Sequence, residues 1–141
     1  MSVVDELISR VAASGLSLQG KLEALRTGFE TEILRPEAVA IMRRVTHDLI
    51  ASGQASRALK AGDQMPRFAL PNLDGKLVTS EELLARGALV LTFYWGSWCP
   101  YCAVDLAVFE AVRPEFERRS ASLIAVSQQV ITDGSNCPVA I

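Results

Sequence analysis

Residues 90–106, VLTFYWGSWCPYCAVDL, decide how this chain folds and what it can do. The run Ala88 to Tyr94, ALVLTFY, is almost continuously apolar, which predicts a central strand covered on both faces. Beyond a short link come Cys99 and Cys102, and from Pro100 onward Cys102, Leu106, Phe109, Val112 and Phe116 repeat at helical spacing. Pro114 is expected to kink that helix near its fourth turn. SLIAVS, Ser122 to Ser127, then reads as a second buried strand. Strand, helix and strand in this order imply a parallel pair joined by a right-handed crossover.

On this framework Cys99 sits at the mouth of the first strand and at the start of the helix, where unpaired backbone N–H groups and the helix dipole favour negative charge. Pro100 fits the first helical position because it has no N–H to leave unpaired there. Cys102 falls about one turn along the same face, within reach of a disulfide. The expected roles are therefore an attacking thiolate at Cys99, its pKa lowered from about 8.5, and a more buried resolving thiol at Cys102. Ser97, Trp98, Pro100 and Tyr101 form the expected substrate or partner surface; for Trp95, partner docking and plain hydrophobic cover both stay open. A zinc site would need four ligands, and only Cys137 and His47 remain to complete one, with no second Cys-x-x-Cys and no His-x-x-x-His. His47 lies on the polar side of its helix and reads as a solvated surface residue. Two inert buried thiols fit less well than a redox pair, given the proline between strand and helix. No metal and no cofactor is expected.

With 141 residues the chain has room for a real core. Its hydrophobic share of 50% and charged share of 21% are those of a folded, soluble protein. A net charge of −2 provides no footprint for nucleic acid or an anionic membrane, so neither partner is expected. The opening MSVVDELISRVAASG carries Asp5 and Glu6 and no long apolar run; it reads as neither a secretory signal nor a spanning helix, and a cytoplasmic setting is expected. Three cysteines in a reducing compartment argue against a structural disulfide framework.

The first 61 residues read as a helical N-terminal extension. Val3, Val4, Leu7, Ile8 and Val11 form one helical stripe ending at Gly15; Leu18, Leu22, Leu25, Phe29 and Ile33 form a second. A third helix starts at Pro36, places Ala38, Met42, Val45 and Leu49 on one face, and stops at Gly53. From Gly62 the texture changes: NLDGK is a turn signal between two short strands, and Thr79 with Glu82 forms a capping box for a short helix that Gly87 ends. Residues 62–141 are accordingly read as a second segment of mixed strands and helices.

This second segment resembles the alkyl hydroperoxide reductase/thiol-specific antioxidant group, the peroxiredoxin-like branch of the thioredoxin fold. The resemblance rests on the opening Gly62, Asp63, Pro66, Phe68, Leu70, on the Val-Leu-x-Phe-Tyr strand, on Trp98-Cys99-Pro100-Tyr101-Cys102, and on LIAVSQQ up to Gln129. It implies an α/β, thioredoxin-like fold, incomplete at the C-terminus, behind the helical extension. By the same resemblance Cys99 would attack a hydroperoxide and become a sulfenic acid. It would then condense with Cys102 to a disulfide that thioredoxin or a similar reductant reopens. Peroxiredoxins usually carry threonine or serine three residues before the attacking cysteine; here that position is Gly96, with Ser97 next to it. Thioredoxin-like protein disulfide oxidoreductases share the Trp-Cys-x-x-Cys turn, so that activity is the alternative. A third reading is a truncated, non-catalytic redoxin serving as an interaction module. The tail is expected to be too short for the remaining hairpin and closing helix of the fold; its only proline, Pro138, has no sequence support as the cis-proline of that fold, and Cys137 is expected to be an uninvolved thiol. An uncovered sheet edge would then favour self-association into a homo-oligomer.

Overall fold

The computed structural model describes residues 2–129. Helix α1, Val3–Ala12, begins at a capping box: the Asp5 N–H donates to Ser2 Oγ (3.1 Å) and the Ser2 N–H donates to the Asp5 carboxylate (2.9 Å). Helix α2, Leu18–Gly28, is capped by Ser17 and passes into one wide π-helical turn, Phe29–Ile33. Helix α3, Pro36–Ala51, starts at its proline and is followed by a tight 3₁₀ turn, Gln54–Arg57.

Strands β1, Ala69–Pro71, and β2, Leu77–Thr79, form an antiparallel hairpin around the NLDGK turn, where Asn72 Oδ1 accepts from the N–H groups of Asp74 and Lys76. Thr79 caps helix α4, Ser80–Leu84, with Glu82 completing the box. Strand β3, Ala88–Phe93, then feeds helix α5, Pro100–Arg118, and strand β4, Ala121–Val126, returns parallel to β3 with Ala88 opposite Ala121 and Phe93 opposite Val126. Helix α5 runs through Pro114, which removes one intrahelical N–H without ending the helix. At the near end of the pair Gly87 has φ +142°, and a Cβ there would lie 1.8 Å from the Ser120 carbonyl oxygen. Only glycine allows the two chains to close up at that point.

The principal core joins α1 and α2 to α5: Leu7, Val11, Leu25 and Val104 are buried together, with Ile8, Ala24, Phe29, Ile33 and Tyr101 packed around them. It therefore takes residues from both sides of position 61.

One burial expectation is corrected. β3 is not covered on both faces: none of its residues is fully buried, and Phe93 is 73% exposed. The stripe on α3 is also uncovered, with Met42, Val45 and Leu49 about half exposed, because α3 lies against little besides the 3₁₀ turn. Periodicity identifies an apolar face but not what covers it. Cys137 and Pro138 lie outside the described residues.

Candidate active site

The end of β3 and the first turn of α5 bring the two cysteines together. Cys99 is the N-cap of α5, in extended conformation, and Pro100 is the first helical residue. The Cys102 N–H donates to Cys99 Sγ at 3.3 Å, and the two sulfurs are 2.7 Å apart. Both are free thiols, and a bond of about 2.05 Å needs well under an ångström of travel from that separation. The Trp95 N–H reaches Cys102 Sγ at 3.4 Å, so each sulfur accepts from a backbone amide.

Burial and charge differ from the sequence-based expectation. Cys99 is the more buried sulfur, only 3% exposed, whereas Cys102 is half-buried. Burial pushes the Cys99 thiol up to about 11, the adjacent Cys102 thiol adds to the rise, and the Cys102 and Tyr101 N–H groups oppose it. Desolvation thus outweighs the helix start. Part of the rise is also pairwise: once one thiolate exists, the second proton leaves a site that already holds negative charge.

The flanking residues divide into two sets. Trp95 and Trp98 are 67% and 66% exposed, with ring centroids 6.1 Å apart, and form an aromatic surface beside the sulfurs. Tyr101 faces the other way, half-buried, stacked on Phe29 at 5.8 Å. Burial, and then the Glu30 carboxylate, hold its phenol above the ordinary range. So Tyr101, expected at a partner surface, is instead covered by the turn after α2. Pro100 is half-buried and Ser97 exposed. The Ser97 N–H donates to Gln129 Oε1 at 2.9 Å.

Sequence reasoning missed Gln129, Phe29 and the Trp95 amide as neighbours of the site. A signal for Gln129 was present, because parallel strands end side by side and the residues after β4 must lie near those after β3. Nothing in the spacing tied Phe29 to Tyr101. Among the described residues no group of three or more His, Cys, Asp or Glu could hold a metal ion, and His47 is exposed beside Asp48.

The model of the AhpC/TSA family matches residues 61–135, more than half of the chain. The chain belongs to the AhpC/TSA family. Among curated relatives, thiol-disulfide oxidoreductase ResA of Halalkalibacterium halodurans is 32% identical over 74 residues, covering 52% of this chain and 41% of the relative. ResA of Bacillus anthracis is 25% identical over 68 residues, 48% of this chain and 38% of the relative. Peroxiredoxin bcp of Helicobacter pylori is 35% identical over 69 residues, 49% of this chain and 45% of the relative. The chain spans about two fifths of the length of these relatives. No solved structure matches it. This AhpC/TSA chain is a peroxiredoxin-like protein of the thioredoxin fold. No described helix is long and apolar enough to cross a membrane.

Proposed function

We propose that the chain is a thiol peroxidase of peroxiredoxin-like type, working in the cytoplasm as an antioxidant enzyme through a Cys99/Cys102 dithiol–disulfide cycle. The observation that carries this reading is the placement of both sulfurs 2.7 Å apart at the start of α5. Cys99 is reachable by a small hydroperoxide and poorly reachable by a bulky protein disulfide, since it is 3% exposed. Its thiolate attacks the peroxide oxygen, the O–O bond breaks, and the alkoxide leaves and takes a proton; Cys99 is oxidised to a sulfenic acid. The Cys102 thiolate then attacks that sulfur and expels hydroxide, forming the disulfide. A dithiol of thioredoxin type reopens it, attacking first at the more accessible Cys102.

A protein disulfide oxidoreductase is the second reading. Gly96 in place of a hydroxyl residue, and the exposed pair Trp95 and Trp98, favour it. Stopped-flow mixing of the reduced protein with hydrogen peroxide, beside an insulin-reduction assay, separates the two. The peroxidase reading requires oxidation much faster than that of free cysteine. Peroxide no faster than free cysteine together with insulin turnover would transfer the assignment to the disulfide oxidoreductase.

A further inference from the structure

We propose that Gln129 is a positioning residue for Cys99, clamping from the end of β4 the turn that carries the first sulfur. The proposal rests on the reading of Cys99 as a reacting thiol. The β3–β4 ladder ends where the Tyr94 N–H donates to the Val126 carbonyl at 3.0 Å. Beyond it the chain must reverse within Trp95 to Trp98 to enter α5, and the turn closes with the Cys99 N–H donating to the Gly96 carbonyl at 3.1 Å.

The acceptor for the Ser97 N–H in the middle of that turn is Gln129 Oε1, at 2.9 Å and 32 residues away in sequence. The other end of the amide adds little: Gln129 Nε2 lies 3.5 Å from Ser97 Oγ, at the outer limit of a hydrogen bond. Gln129 is itself held, its N–H donating to Ser127 Oγ at 3.0 Å.

The space under the clamp fits it closely. A Cβ on Gly96 would stand 2.6 Å from Trp98 Nε1 and 2.9 Å from Gln129 Cδ, so the amide and the indole lie directly on a bare backbone. Ser97 and Gln129 are both exposed, and no core surrounds the contact. Its effect is confined to the loop: it ties the residue two before Cys99 to the segment that follows β4. A tethered turn keeps the two sulfurs within bonding distance, and a loose one lowers the fraction of time they spend there.

Amide hydrogen exchange of the unaltered, reduced protein tests the clamp without any variant. The Ser97 N–H should be protected like the Tyr94 N–H of the ladder, although its residue is exposed; exchange at the rate of an unstructured peptide would overturn the proposal. Gln129→Met keeps the length and removes the acceptor. After one equivalent of hydrogen peroxide it should close the Cys99–Cys102 disulfide roughly tenfold more slowly, with an unchanged melting temperature. Gln129→Glu keeps an acceptor and should restore Ser97 protection. Closure by Gln129→Met at the parental rate would overturn the proposal. If the unaltered protein does not react with peroxide, the peroxidase reading fails while Ser97 protection still decides the clamp.

Discussion

At Cys99 two local effects oppose each other, and their balance sets the chemistry. The first turn of α5 offers the Cys102 N–H to the sulfur, while burial removes the water that would stabilise its charge. Burial dominates, and the neighbouring thiol deepens the effect. Cys102→Ala removes the second contribution and leaves the first, so the Cys99 thiol should titrate below its value in the intact pair and still above an ordinary cysteine. The pH dependence of alkylation by iodoacetamide checks this; an unchanged titration would mean that the two sulfurs do not interact. Asp105, half-buried on α5, has its carboxyl held above the usual range by burial. The folded state therefore binds that proton more tightly than the unfolded chain does. The associated stability is present below the unfolded value of about 3.9 and is lost as pH rises through the folded one. Asp105→Asn should accordingly melt higher than the parent at pH 7, with the gap shrinking toward pH 3; thermal melts at both pH values are the check.

At the scale of elements, turn and cap chemistry was legible and burial was not. Pro36, the NLDGK turn, the Thr79 box and the Cys99–Pro100 helix start each fall where local stereochemistry alone places them. The strand pairing was readable too, because an apolar run, a helix and a second apolar run leave few alternatives. The covering of β3 and α3 was not readable, since the same stripe on a helix is compatible with a packed or an open face. The π-helical turn at Phe29–Ile33 also has no signature in spacing, as its residues fit the ordinary helical stripe. Two substitutions probe this level. Thr79→Ala removes the hydroxyl that accepts the Glu82 N–H and should cost about 1 kcal/mol in urea unfolding. Gly87→Ala meets the Ser120 carbonyl directly and should cost more than about 3 kcal/mol, or prevent the β3–β4 pair from closing; near-parental stability would show that the strands do not approach as described.

Across the whole molecule, the helical extension and the redox helix share one core. Leu25 on α2 is fully buried against Val104, two residues beyond Cys102, and Phe29 stacks on Tyr101 between the cysteines. The core stripes of α1 and α2 were visible in the sequence, but their partner was not, because Leu25 and Val104, members of one buried cluster, lie far apart in sequence. For the same reason the Cys-x-x-Cys pair was legible while Gln129, Phe29 and the relative burial of the two sulfurs emerged only with tertiary structure. Leu25→Ala should cost about 3–5 kcal/mol in chemical denaturation and loosen the first turn of α5 together with the extension. If denaturation left the environment of Tyr101 intact while α1 and α2 unfolded, the shared core would be refuted. The most direct measurement is peptide mass mapping of the reduced protein after one equivalent of hydrogen peroxide. The account predicts a single product two hydrogens lighter, linked between Cys99 and Cys102. Oxidation that leaves these two unlinked, or joins either of them to Cys137 instead, would contradict it.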